Sequence, residues 1–301
     1  MEEMRQEIIV QKVKEKEQKV KRFKISVPMI LLYLLVLGVV AFTSMPLVYL
    51  VSTAFKPLNE LFVFPPQFFV RNPTLRSFSE LFLALSGNEV PFTRYIFNSV
   101  AVSVITVVGT WIVCTMGAFA MTKLKLPFKS KIYTIIVATL MFAAPAGQLT
   151  SYIIIQNFGW MNTIWALTLP KMAGSLFIFL LIQNFNVVPD ALLEAAKIDG
   201  CSSWGLYYKM MIPMTRPAWA TAIVFSFVGS WNDFFGPMLY IQREAMKTLP
   251  LALQLLQGGP GQVARAGAFA AAGLLTTLPT IIVFCFMQSK VINTMSNSGI
   301  K

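Results

Sequence analysis

The chain has 301 residues, of which 56% are hydrophobic and 13% charged, with a mean hydropathy of +0.65. A soluble globular domain carries roughly a quarter charged residues, so this composition excludes one and indicates a bilayer as solvent. The net charge of +12 does not indicate nucleic-acid binding, because most Lys and Arg flank apolar runs, and the absence of histidine argues against metal-dependent or histidine-based catalysis.

The N-terminal residues 1–27 form a charged tail in which Glu15 and Lys19 are spaced as helical neighbours. This segment is too long and too acidic for a cleavable signal, and we expect it on the cytoplasmic side. A specific docking role for the tail remains open. Residues 28–51 follow as an uncharged run that is long enough, at about 1.5 Å per residue, to cross a ~30 Å hydrocarbon core.

Further apolar runs predict an all-α, polytopic membrane protein with six transmembrane helices in residues 28–289, followed by a polar tail at 290–301. A loop rich in proline and phenylalanine, residues 52–95, separates the first span from the second and suggests elements at the membrane interface. The predicted spans after the first are 95–122, 132–155, 163–185, 218–240 and 266–288.

The distribution of basic residues predicts the orientation of these six spans. If both termini are cytoplasmic, the inner segments hold 17 Lys and Arg and the outer segments hold 7. Cytoplasmic segments carry the excess of basic residues, so we expect both termini and the loop 186–217 on the cytoplasmic face.

The loop 186–217 predicts two short helices joined by a sharp turn. Pro189 suits the first position of a helix, and Gly200 supplies a left-handed stop. Ser202 or Ser203 would cap the second helix, which Pro213 would end. From these features alone, either an interfacial connector or a surface that docks on another protein is possible.

The spacing within this loop resembles that of one transporter family. Glu194-Ala195-Ala196, three further residues and Gly200 are followed, after nine residues, by Met210-Met211-Ile212-Pro213. The arrangement is similar to the EAA loop of binding-protein-dependent ABC importer permeases. Met210 and Ile212 depart mildly from the aliphatic residues of that pattern.

The flanking residues resemble the carbohydrate branch of these permeases, and in particular its maltose-type second permease subunit. They are Val188-Pro189-Asp190, Ile198-Asp199-Gly200 and Ser230-Trp231-Asn232-Asp233. The resemblance covers nearly all of residues 25–295, but the C-terminal tail matches loosely. It implies a subunit of the bacterial inner membrane that forms half of a path for a sugar or oligosaccharide.

The resemblance also implies partners and a role for the loop. Its first helix would enter a groove of an ATPase subunit, and the coupling residues would be Glu194, Ala195, Ala196, Asp199, Gly200 and Pro213. The complex would contain a second homologous permease subunit, two ATPase subunits and an extracytoplasmic substrate-binding protein. ATP and Mg²⁺ would bind to the ATPase subunits, because the glycine-rich stretch 258–261 lacks the lysine of a phosphate-binding loop. We therefore expect no cofactor and no enzymatic site in this chain.

Polar residues within the predicted spans indicate the substrate path. Trp231, Asn232 and Asp233 offer the indole, amide and carboxylate groups that suit a sugar, and Lys171 lies in the fourth span. Alternatively, Asn232 and Asp233 satisfy helix ends or bonds between subunits, and Lys171 extends toward the outer interface.

Other functions remain as alternatives. A secondary transporter would need a midplane ion site, and a membrane enzyme would need a catalytic constellation; this sequence indicates neither. An ABC importer permease for a non-sugar solute, such as a glycerol phosphodiester or an amino acid, fits the same motifs.

Overall fold

The computed structural model describes residues 27–86, 90–141, 144–257 and 265–298, and every regular element within these ranges is helical. The predicted N-terminal tail, apart from Val27, and the glycine-rich stretch 258–261 lie outside the described residues. The helices are α1 (Val27–Phe55), α2 (Leu58–Leu61), α3 (Arg76–Ser86), α4 (Phe92–Lys123), α5 (Lys129–Leu140), α6 (Ala144–Asn157), α7 (Ile164–Met172), α8 (Ser175–Val187), α9 (Asp190–Ile198), α10 (Ser203–Gly205, a π-helical turn Leu206–Met211, and Ile212–Met214), α11 (Arg216–Trp231), α12 (Phe235–Tyr240), α13 (Leu249–Gln257) and α14 (Ala266–Ser298).

Four helical segments among the described residues are long and apolar enough to cross a membrane. They are Val27–Phe55, Phe92–Lys123, Ile164–Val187 and Ala266–Gln288. The third of these contains a break, because α7 ends at Met172 and α8 begins at Ser175. Helix α14 continues to Ser298, so it includes much of the predicted tail 290–301.

The two other predicted spans are each divided into shorter helices. The run 132–155 corresponds to α5 and α6, and the run 218–240 corresponds to α11 and α12. In the second case the division is caused by Asp233, whose Oδ1 accepts hydrogen bonds from the backbone N–H groups of Phe235 and Gly236. Short polar side chains compete with the helix for backbone partners in this way, so 218–240 is not one continuous helix.

The chain divides into two compact units, with the boundary in the sequence after Tyr49. In the described part of the first unit, α1 exposes nearly all its large apolar side chains, and Leu35 and Phe42 are 64% and 74% exposed. A helix that is apolar on every side suits hydrocarbon rather than water.

Helix α4 is the central helix of the second unit, since its side chains belong to all three buried clusters. One face of α4 carries small polar residues, including the buried Ser99, Ser103, Thr106 and Thr110. Small residues allow helices to approach closely within a membrane. Accordingly, α4 contacts α7, α8 and α11 extensively.

Candidate coupling loop and translocation cavity

The loop 186–217 begins at α9, whose N-terminus is held by Lys123 from the end of α4. The Lys123 Nζ donates to the Val188 carbonyl oxygen and to Asp190 Oδ1, both at 2.7 Å. The lysine side chain is 6% exposed, whereas that of Asp190 is 77% exposed. The hydrogen bond and the positive charge of Lys123 lower the pKa of Asp190. The first helix of the loop is thus joined directly to a membrane span.

The turn after α9 has the left-handed geometry that its sequence predicts. Gly200 has φ +81°, and the Gly200 N–H donates to the Lys197 carbonyl while the Cys201 N–H donates to that of Ala196. These two bonds form a Schellman motif, which favours glycine at this position. Ser202 then caps α10, because its Oγ accepts the Gly205 N–H at 3.2 Å. The left-handed turn is confirmed, as is Ser202, one of the two predicted caps.

The second helix of the loop differs from the prediction at its C-terminal end. Pro213 does not end the helix, which continues to Met214 and stops at Thr215. A π-helical turn, Leu206–Met211, directly precedes this proline. In a π turn the bonds run to the fifth residue, as from the Ile212 N–H to the Tyr207 carbonyl. This wider turn allows the helix to continue through Pro213.

Tyr207 fixes the second helix to the same membrane span as Lys123. Its hydroxyl lies 2.6 Å from Thr115 Oγ1 on α4 in a buried contact, and its ring packs beside that of Phe119 at 5.4 Å between centroids. Both helices of the loop therefore rest on α4. Lys123, Thr115 and Tyr207 were not predicted as site residues; only the four lysines at 123–131 indicated a charged cytoplasmic edge.

The structure separates the predicted coupling residues into two groups. Glu194, Ala195, Asp199 and Gly200 are exposed on α9 and its turn, whereas Ala196 and Pro213 are half-buried. Ala196 packs against the buried cluster beneath α9. The same exposed surface includes Ile198, which is 86% exposed and was not predicted. The only sequence signal for this exposed position was an apolar residue next to Asp199.

A cavity of about 450 Å³ lies between the membrane helices. Of the predicted path residues, Lys171 and Asp233 line it, and they form an ion pair with Nζ 2.5 Å from Oδ2. The sequence did not predict that these two residues would meet, because 62 positions separate them. The other lining residues are Thr106, Gln148, Ser151, Ala166, Leu167, Pro170, Phe177, Phe225, Ser226, Gly229, Ser230, Phe235, Gly236, Leu239 and Tyr240.

Trp231 and Asn232 do not line this cavity. The Trp231 ring is buried, and its Nε1 donates to the Thr276 carbonyl of α14 at 2.8 Å. Asn232 is exposed and its amide bonds the Val228 carbonyl. Both residues lie at the end of α11 and contact its own last turn or α14, so in this structure they serve packing and helix termination. Asp233 both bonds the first N–H groups of α12 and lines the cavity.

The described residues contain no group of three His, Cys, Asp or Glu side chains that could hold a metal ion. Cys114 is buried, Cys201 is half-buried and Cys285 is exposed. The chemistry of the site is therefore that of hydroxyls, amides, one ion pair and aromatic rings.

Residues 22–290 match the family of binding-protein-dependent transport system inner membrane components. The chain belongs to this family, and its helices and loop are those of a membrane-embedded permease subunit rather than an ATPase. A putative ABC transporter permease protein, ORF2 of Caldicellulosiruptor sp. (strain Rt8B.4), is 31% identical over 86% of this chain and 92% of its own length.

Two further relatives have names that state a substrate. The sulfoquinovosyl glycerol transport system permease protein SmoH of Agrobacterium fabrum is 28% identical over 85% of this chain and 88% of its own. The sn-glycerol-3-phosphate transport system permease protein UgpE of Yersinia enterocolitica is 28% identical over 68% and 73%. Among solved structures, a chain of a bacterial ABC transporter involved in the import of the acidic polysaccharide alginate has a TM-score of 0.75 and 19% identity, covering 86% of this chain and 95% of that one. It shares the fold.

Proposed function

We propose that this chain is one of two homologous membrane-spanning subunits of an ATP-driven importer for a sugar or oligosaccharide. Its six spans, with the divided runs 132–155 and 218–240 counted as one span each, would place both termini and the loop 186–217 in the cytoplasm of a bacterium. The excess of basic residues on the inner segments supports this orientation.

The loop 186–217 carries the proposal. Helix α9 buries Leu193 against the membrane domain and exposes Glu194, Ala195 and Asp199 on the opposite side. The exposed Ile198 adds apolar surface at the tip. A short helix that combines a fixed base with small, acidic and apolar exposed groups suits a groove on a partner protein. We assign that partner as an ATPase subunit, present in two copies, which binds ATP and Mg²⁺.

Force would pass from the loop to the cavity through α4. Lys123 and Tyr207 join the loop to the cytoplasmic half of α4, and Thr106 of the same helix lines the cavity. When the ATPase subunits close, movement of α9 would therefore move α4 and change which side of the membrane the cavity faces. In this scheme, an extracytoplasmic binding protein delivers the substrate and this chain performs no chemistry.

A saccharide is the substrate class that the relatives favour. SmoH transports a sugar glycoside by its name, and the structural neighbour belongs to a polysaccharide importer. The hydroxyls and aromatic rings of the cavity suit such a ligand. The second candidate is a glycerol phosphate, because UgpE is also similar to this chain.

The test is purification of the tagged chain from its native membrane, followed by reconstitution into vesicles with the co-purifying subunits. We expect a nucleotide-hydrolysing subunit to co-purify and uptake to require ATP. Glu194→Lys should abolish uptake while the chain still inserts. Lys125→Glu, which reverses a charge in the opposite direction at another exposed position near the cytoplasmic end of α4, is the control and should retain uptake. Uptake without any nucleotide-hydrolysing subunit would refute the proposal.

A further inference from the structure

We propose that the cavity is a subsite for an uncharged saccharide, and that the ion pair between Lys171 and Asp233 selects against anionic substrates. This inference rests on the proposed transport of saccharides and adds the charge class of the ligand and the groups that hold it. It sets this chain apart from SmoH, UgpE and the structural neighbour, whose names state a sulfonated glycoside, a glycerol phosphate and an acidic polysaccharide.

Two residues of the cavity lining carry buried hydroxyls without a partner. Thr106 Oγ1 on α4 and Ser230 Oγ on α11 have no hydrogen-bond partner among the described residues, although the two residues are only 1% and 6% exposed. Both residues line the cavity. A buried hydroxyl without a partner is costly, so a ligand that bonds both hydroxyls would be stabilised by them. Saccharide hydroxyls both donate and accept, as these two side chains do.

The charges that line the cavity cancel. Lys171 and Asp233 are the only charged residues among its described lining residues, and their side chains are 31% and 18% exposed. The second carboxylate oxygen of Asp233 already accepts two backbone N–H groups. A phosphate, sulfonate or uronate entering the cavity would have to compete with Asp233 for Lys171 and would meet a carboxylate beside it. A neutral ligand meets no such opposition.

The remaining lining groups fit the two kinds of surface on a sugar. Gln148 and Ser151 of α6 provide an amide and a hydroxyl, and Phe225 and Phe235 provide partly exposed rings. Aromatic rings cover the C–H face of a sugar while the polar groups meet its hydroxyls. The volume of about 450 Å³ lies in the range of small-molecule sites, which runs from about 300 to 1,000 Å³.

The first experiment measures which charge class the reconstituted complex transports. ATP-dependent uptake is compared for a panel of neutral mono-, di- and trisaccharides, a guluronate trisaccharide and sn-glycerol-3-phosphate. We expect a neutral saccharide to be transported best. Preferred uptake of an anionic probe would overturn the subsite and leave the proposed importer intact. A complex that transports nothing in an ATP-dependent manner would overturn the proposed function itself.

The second experiment changes the charge in the cavity. Asp233→Asn keeps the oxygen that accepts the Phe235 and Gly236 N–H groups but leaves Lys171 without its counter-charge. The ratio of guluronate to neutral uptake should rise on the order of tenfold, because an unopposed cation attracts a carboxylate. The double variant Asp233→Asn with Lys171→Gln, which has no charge, should return the ratio to that of the unmodified protein. An unchanged ratio in Asp233→Asn would refute the selection by charge.

The third experiment tests the hydroxyls. Ser230→Ala and Thr106→Val should each raise the KM for the neutral saccharide about fivefold, the effect of one lost hydrogen bond. Thr277→Val is the control, because this hydroxyl on α14 donates to the Gly273 carbonyl and does not line the cavity. Equal KM values in the two cavity variants and the control would show that the hydroxyls do not bind substrate.

Discussion

Substitution of Gly200 separates two possible reasons for glycine at the tip of the coupling loop. At φ +81°, any side chain strains the backbone by about 1–2 kcal/mol. A Cβ added there would meet no atom of the described residues within 4 Å, so the start of a side chain has open space around it. Bulk at this position becomes unfavourable only if another protein lies against the turn.

Gly200→Ala and Gly200→Phe carry similar backbone strain and differ in bulk. A strain of about 1–2 kcal/mol corresponds to a population change of roughly 5- to 30-fold. We expect Gly200→Ala to retain measurable uptake and Gly200→Phe to retain none, although both insert into the membrane. Gly200→Asn, which tolerates a positive φ better, should be the mildest of the three.

The assay is ATP-dependent uptake in reconstituted vesicles, with the amount of inserted subunit measured in the same samples. Co-purification of the ATPase subunit provides the second measurement and should fail for Gly200→Phe alone. Equal uptake by the alanine and phenylalanine variants would refute the reasoning, because bulk would then have no effect and the exposed turn would have no close partner.

Three other predictions concern the groups that position the loops. Lys123→Met should increase hydrogen exchange of residues 186–199 and lower the uptake per ATP hydrolysed, because the lysine holds the start of α9. Asp190→Asn should have the smaller effect, because Asp190 is exposed and solvent screens its ion pair; equal effects of the two variants would contradict the assignment. Tyr207→Phe and Thr115→Val should each weaken coupling by about 1 kcal/mol, and a double-mutant cycle should show that the two losses are not additive. The pKa of Glu60 is lowered chiefly by the backbone N–H of Arg71, so its carboxylate stabilises the loop after α1 fully at pH values above the ordinary pKa of about 4.3. Proteolysis of that loop should therefore increase as the pH falls through the lowered pKa. Glu60→Gln should remove this pH dependence.

Much of the fold could be predicted from local sequence properties. The spans at α1, α4 and α14 follow from uncharged runs long enough to cross a bilayer. The turn at Gly200 follows from the left-handed conformation that ends a helix. These features depend on residues close together in the chain, so the sequence contains what is needed to predict them.

The breaks within the predicted spans were harder to predict. Asp233 divides the run 218–240 because its carboxylate takes the first N–H groups of α12, yet the same residue type can also lie inside a helix and bind a ligand. Pro213 shows the opposite case, since a residue that usually ends a helix lies within one after a π turn. Hydropathy does not distinguish these outcomes, because they depend on single hydrogen bonds.

The sequence by itself determined the membrane environment, the main apolar helices and the loop with its glycine turn. Only the tertiary structure decided that Lys171 meets Asp233, that Trp231 faces Thr276 instead of the cavity, and that Lys123 and Tyr207 fix both loop helices to α4. Each of these contacts joins residues distant in the chain. Packing of the whole domain decides which face of each helix contacts which neighbour. In a membrane both lipid and neighbouring helices are apolar, so the hydrophobic periodicity of a helix gives little indication of its packed face.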